Sequence, residues 1–153
     1  MNEDSRHVNP SHARPFTAHP TTTHPPYSNK EAIAVNQAWA GHPGYQVRMF
    51  SPSNSTDEGE TESAWEYKIQ IWAKPVDEAT GAVAVLVLSS TSYASSYAVE
   101  LDLNEIGFGL DASSTVSVRD IWAQEDLESA TTGSYTTPEI AGHDSGFYLL
   151  TPQ

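Results

Sequence analysis

The chain has 153 residues, room for one domain and not comfortably for two. Its formal net charge of -13, from 20 acidic and 7 basic side chains, argues against nucleic acid and against an anionic membrane surface as partners. The absence of cysteine removes disulfides, thiolate zinc sites and a Cys nucleophile, and no apolar run is long enough to span a bilayer.

The N-terminal "MNEDSRHVNP" is polar throughout and does not read as a secretory signal. Residues 1–27 are expected to be a disordered tail. They have no apolar period, and Pro stands at 15, 20, 25 and 26. His7, His12, His19 and His24 fall in this tail at spacings that suit neither one helix face nor one strand face, so no metal site is assigned.

A short helix follows. Ser28 with Glu31 three residues later has the spacing of a capping box, and Ala32, Ile33 and Val35 form a small apolar stripe. Gly41-His42-Pro43-Gly44 then forces a turn. So short a helix is marginal alone and needs a body to pack on.

From Tyr45 the period is two. Gln46 to Met49 reads as a strand, and residues 51–64 as an acidic, Ser-rich loop. Asp57, Glu58, Glu60 and Glu62 in this loop lack the EF-hand spacing and read as a solvated charge run. Asn54-Ser55-Thr56 is a sequon, which makes Asn54 a glycosylation acceptor if the chain is secreted. "WEYKIQIWAK" alternates Trp65, Tyr67, Ile69 and Ile71 against polar residues, with Trp72 breaking the polar side. Pro75 to Gly81 reads as a turn, and "AVAVLVLSS" as a strand covered on both faces. "YAVELDL" and "STVSVRDIW" are strands, "NEIGFG" a helical turn or loop, "AQEDLESATTG" a connection, and "SYTTPEI" and "GFYLLTP" the closing strands. About eight short strands without β–α alternation predict an all-β, antiparallel Greek-key sandwich. Its expected core is Ile69, Ile71, Val83, Val85, Val87, Val99, Leu101, Val116, Val118, Tyr148 and Leu150.

No catalytic, cofactor-binding or metal-ligating residue is assigned. The nucleophile-elbow, zinc-protease and phosphate-loop motifs are all missing. Glu100 and Asp102 lie on one strand face about 7 Å apart by strand rise and read as a solvent-facing strand edge. Arg119-Asp120 reads as a structural pair or turn contact, and His143-Asp144 as a turn. Trp39, Trp72 and Trp122 offer surfaces for stacking on sugar rings, or core contacts.

Four segments in order resemble melibiase-type α-galactosidases of glycoside hydrolase family 27, most closely plant members. "SNKEAIAVNQ" with "AGHPGYQVR" resembles the last helix of the family's (β/α)8 barrel. "IWAKPV" with "GAVAVLVLSS" resembles the first large strand pair of its C-terminal domain. "VSVRDIWAQEDL" is similar to its Arg-Asp-Leu-Trp strand, with Ile121 in the Leu place, and "AGHDSGFYLLTPQ" to its closing strand. The resemblance covers residues 28–153. It implies a tail over 1–27, the last helix and exit loop of an absent barrel over 28–44, and the C-terminal sandwich over 45–153.

The family hydrolyses terminal α-galactosides with retention, using two Asp on barrel strands, which places the protein in carbohydrate metabolism. Carboxyls in retaining enzymes stand about 5–5.5 Å apart. No position here matches either Asp, so the expectation is a C-terminal fragment, inactive alone and without cofactor. α-Galactosides would be substrates only in a full-length enzyme. The alternative is a free-standing carbohydrate-binding or interaction sandwich. Family members are secreted, vacuolar or lysosomal. Self-association is expected through surfaces meant for the barrel, the Ala32/Ile33/Val35 stripe and the facing side of the sandwich, with Trp39 and Trp72.

Overall fold

The computed structural model describes residues 28–52, 68–91 and 95–153. The tail of residues 1–27, Asn54 with its sequon, most of the acidic loop, Trp65 and Tyr67 lie outside the described residues. In chain order the elements are α1 (Lys30–Gln37), β1 (Tyr45–Phe50), β2 (Ile69–Asp77), β3 (Ala82–Ser89), β4 (Ser96–Tyr97) and β5 (Glu100–Asp102). There follow α2 (Leu103–Ile106), β6 (Thr115–Asp120), β7 (Glu125–Thr132), β8 (Ser134–Thr136), β9 (Ile140–Ala141) and β10 (Asp144–Pro152).

The architecture is an all-β sandwich. One layer is a six-stranded antiparallel sheet in the order β1-β2-β3-β10-β6-β7. The other is built from two ribbons, β4-β9 and β5-β8, together with α2. The chain leaves the sheet after β3, returns as the β6–β7 hairpin and leaves again. It then comes back as β10, which fills the slot between β3 and β6. This is a Greek-key return: the last strand closes a gap left by earlier ones.

Alternation places the core. From the sheet come Ile69, Ile71, Ala73, Val83, Val85, Val87, Val116, Val118, Tyr148 and Leu150. Val99, Leu101, Leu103, Ile106, Leu110, Tyr135 and Ile140 meet them from the second layer. Every residue expected in the core is buried there. Tyr135 and Tyr148 meet edge to face across the layers, ring centroids 5.9 Å apart. Burial first, then the charge of Asp120, pushes the Tyr148 hydroxyl well above its ordinary pKa, so it stays a neutral phenol.

The elements differ from the sequence expectation in four places. Ten strands are present among the described residues rather than about eight. The connection expected over 123–133 contains β7, an edge strand with a single large apolar residue, Leu127, and no clean alternation. Pro75 lies inside β2 rather than in a turn. Pairing with β1 ends at Ala73, so Pro75 has a strand neighbour on the β3 side only, and its missing N–H breaks no ladder. Leu103 opens α2 instead of ending a strand, because Asp102 caps that turn by accepting from the Asn104 N–H at 2.8 Å.

Gly44, where the chain enters β1, is obligatory. Its φ is 101°, and a Cβ there would stand 2.8 Å from the Ala73 carbonyl oxygen.

Val85 is 0% exposed on a strand with neighbours on both sides. Val85→Asp buries an unpartnered carboxyl and removes a packed side chain. Against a total stability of about 5–15 kcal/mol, folding is expected to fail. A soluble variant with a cooperative melt would contradict this placement.

Candidate functional site

Two features carry chemistry on the outer face of the six-stranded sheet, the face turned away from the core. The first is a polar clasp. Asn29, not Ser28, is the N-cap of α1: its Oδ1 accepts from the Glu31 and Ala32 N–H groups at 3.0 and 3.1 Å. Its Nδ2 donates to the Ile121 carbonyl at 2.6 Å, and Gln124 Nε2 donates to its Oδ1 at 3.3 Å. The amide caps through its oxygen and donates through its nitrogen at the same time.

Glu31 is therefore free of the capping-box role and turns to Arg119. The guanidinium donates through Nε and Nη2 to both Glu31 oxygens, each at 2.8 Å. Arg119 also donates to Asp126 Oδ1 at 2.9 Å and to the Gln124 carbonyl at 2.8 Å. The Glu31 hydrogen bonds, then the Asp126 bond, raise the Arg119 pKa further above its ordinary value. At the other end of α1, Lys74 Nζ donates to the Val35 and Asn36 carbonyls at 2.7 and 3.1 Å, satisfying the helix C-terminus.

Cross-strand register puts Lys74, Ala84, Leu149 and Arg119 in one row. The tethers at its two ends make α1 span that row, over the small side chain of Ala84, itself buried. No residue of α1 is buried, and Ile33 is 41% exposed.

The cover ends there. β3 is buried through its first half, but Leu86 is only half-buried and Leu88 is exposed. The neighbouring row, Gln46, Trp72, Leu86 and Phe147, is the second feature. Trp72 is 39% exposed and donates its indole N–H to Gln70 Oε1 at 3.3 Å. Gln46 Nε2 donates to the same oxygen at 3.2 Å.

Most of the remaining residues singled out from sequence serve the fold. Glu100 pairs with Thr136 in the β5–β8 ribbon, and Asp102 is the α2 cap. Asp120 Oδ1 accepts from the Ala123 N–H and closes the turn after β6. His143 occupies the left-handed region, φ 58°, in the turn between β9 and β10. Trp122 packs on Phe147, centroids 5.1 Å apart, and donates to Ser145 Oγ. Trp39 is 70% exposed. Among the described residues no cluster of His, Asp or Glu could hold a metal ion.

Asp77 and Asp111 sit below the ordinary carboxylate range. Backbone N–H donation from Ala79 holds Asp77 down, and the Ser113 hydroxyl and N–H hold Asp111 down. A general acid needs the opposite shift.

Sequence comparison reads the same segments. The sequence model of the "Alpha galactosidase C-terminal beta sandwich domain" family matches residues 66–150, more than half of the chain. This chain belongs to that family. Among its relatives, Alpha-galactosidase 3 of Arabidopsis thaliana is 30% identical over 126 residues, covering 82% of this chain and 24% of the relative. The Alpha-galactosidase of Cyamopsis tetragonoloba is 33% identical over 126 residues, covering 82% and 25%. The chain thus spans about a quarter of the length of these relatives.

The fold is shared with α-galactosidase I from Mortierella vinacea, with TM-score 0.58 and 19% identity, over 80% of this chain and 26% of that one. It is shared also with a GH27 β-L-arabinopyranosidase from Geobacillus stearothermophilus, with TM-score 0.55 and 21% identity, over 82% and 23%. Ahead of the matched region, α1 is fastened to the sandwich by polar bonds. Spacing alone could not show that fastening, since Glu31 and Arg119 are 88 positions apart.

Asn29→Ala removes the α1 cap and leaves the Ile121 carbonyl without its side-chain donor. A loss of about 2 kcal/mol is expected in urea unfolding. Asp111 has a folded pKa below 3.8, so its stabilisation is full above that value and is lost as pH falls through the lowered one. Asp111→Asn is expected to flatten the acid limb of stability below about pH 4 in denaturant titrations and to leave its shape near neutrality unchanged.

Proposed function

We propose that this chain is the C-terminal part of an α-galactosidase. Its sandwich serves a retaining hydrolase of terminal α-galactosides, and residues 1–153 do not hydrolyse these substrates alone. The carrying observation is the family match over residues 66–150, on a sandwich in which several of the described carboxylates serve as caps, turns and ion pairs. Asp102 and Asp111 close local turns, Glu31 and Asp126 pair with Arg119, and Glu105 lies 3.3 Å from Arg48. Retaining hydrolysis needs a nucleophilic carboxylate and a second carboxyl as acid/base on either side of the glycosidic bond. Asp77 and Asp111, both displaced toward easier ionisation, suit neither the acid role nor a shared-proton pair.

A second reading is a carbohydrate-binding sandwich acting without a catalytic partner. It is favoured by one observation, the exposure of Trp39 and Trp72.

Purified chain 1–153 is expected to release no aryl alcohol from an aryl α-galactoside above a no-protein control. A chimera in which residues 28–153 replace the matching C-terminal segment of the Arabidopsis relative, helix included, is expected to be soluble and active. Turnover by 1–153 that co-purifies with the protein through two independent separations would overturn the inactivity. An insoluble or inactive chimera, beside an active parent, would count against the α-galactosidase role.

A further inference from the structure

We propose that the turn joining β6 to β7 is a two-position relay: the seated helix α1 holds Gln124 in a left-handed conformation, and with it the Trp122 indole against β10. When α1 lifts from the sheet, the turn relaxes and Trp122 is released. The proposal goes beyond the α-galactosidase reading and does not rest on it.

Gln124 is in the wrong place by intrinsic preference. Its φ is 60°, at the position where the chain enters β7. A left-handed residue at the end of a hairpin loop suits glycine or asparagine far better than glutamine. Strain of this kind persists only where the surroundings over-determine it.

Those surroundings come from the α1 segment and Arg119. The Gln124 carbonyl accepts from Arg119 Nη2 at 2.8 Å, and the same nitrogen donates to Glu31 Oε1. Gln124 Nε2 donates at 3.3 Å to Asn29 Oδ1, the oxygen that caps the helix. At the other end of the turn, Asn29 Nδ2 holds the Ile121 carbonyl at 2.6 Å. Both ends of the turn are thus tied to the start of α1, directly or through Arg119.

The far side of the turn faces β10. The Ile121 N–H donates to the Phe147 carbonyl at 2.8 Å, and Trp122 Nε1 donates to Ser145 Oγ at 3.2 Å. The Trp122 and Phe147 rings meet with centroids 5.1 Å apart. Ile121 is 0% exposed and forms a fixed pivot. Trp122 is half-buried and Gln124 exposed, and these are the parts that turn about it.

The helix itself is built to leave. None of its residues is buried, and eight residues are too few for a helix to stand alone. Lys74 on β2 holds its far end. In the sheet order β3 and β10 separate β2 from β6, so the influence of Lys74 on Trp122 passes through α1. Coupling of this kind is demonstrated by a change made far from the element that responds.

The test is hydrogen exchange of the full chain followed by nuclear magnetic resonance, with Lys74→Met as the unlatching change. Exchange of the Ile33 and Ala38 N–H groups, which bond within the α1 segment, is expected to quicken about tenfold on loss of the hydrogen bonds to the ammonium. The Trp122 indole N–H is expected to shift, and the Ala123 N–H, bonded to Asp120, to exchange faster, while the amides of β3 keep their rates. In a Gln124→Gly background the same change is expected to leave the Trp122 signal in place, because glycine adopts the left-handed turn without support. Glu31→Gln takes the place of Lys74→Met if that variant fails to fold. Three results would overturn the proposal: α1 exchange unmoved by both changes, α1 exchange quickened with the Trp122 and Ala123 signals unmoved, or a Trp122 response undiminished by Gln124→Gly. None of these touches the chimera experiment, so the relay and the α-galactosidase role fail separately.

Discussion

The six-stranded sheet depends on one pairing: β10 lies between β3 and β6 and bonds to both. Without it the sheet falls into a three-stranded meander, β1-β2-β3, and an isolated β6–β7 hairpin, neither able to cover the other layer. The same strand supplies Tyr148 and Leu150 to the core from one face, and Phe147 and Leu149 to the outer rows from the other. Two-residue periodicity makes this division rigid, because a slip of one position would send Tyr148 outward and Leu149 inward. The interior, the helix seat and the Trp72 row are thus all set by the register of a single nine-residue segment.

Much of this was legible in the amino acids. Ile69 and Ile71, Val83 to Val87, Val116 and Val118, and Tyr148 and Leu150 alternate cleanly, and alternation is a direct consequence of pleat geometry. What could not be read has physical causes. β7 is an edge strand with little apolar content, so it has no pattern to display. Pro75 reads as a breaker until the shortness of β1 is known. The N-cap slipped by one residue because Ser28 and Asn29 are both good caps, and the choice rests on the Ile121 carbonyl, a distant partner.

The chemistry of the outer face was harder to see for the same reason. Arg119 looked like a structural pair, and it is one, but its partners come from α1 and from the start of β7. Trp72 stood out as a large aromatic on the polar side of its strand. The two glutamines that frame it are unremarkable in sequence, and they converge only because β1 pairs with β2 in a register that places Gln46 opposite Trp72. Long-range polar contacts leave no periodic trace. The segments resembling α-galactosidases pointed to the sandwich, but family likeness is silent about what a particular face touches.

The attachment of α1 through polar bonds at its ends, with none of its residues fully buried, gives the molecule two kinds of cohesion. The sheet and ribbons are held by apolar burial, which weakens on cooling and strengthens in sulfate. The helix is held by ionic and amide bonds at its ends. Its Glu31–Arg119 pair is part-exposed and open to screening once mobile ions come within a Debye length, about 8 Å at physiological ionic strength. Salt and temperature therefore act on the two parts with different signs and weights. The helix is a separately adjustable layer on a fixed body, able to loosen from its seat while the interior beneath Ala84 stays closed.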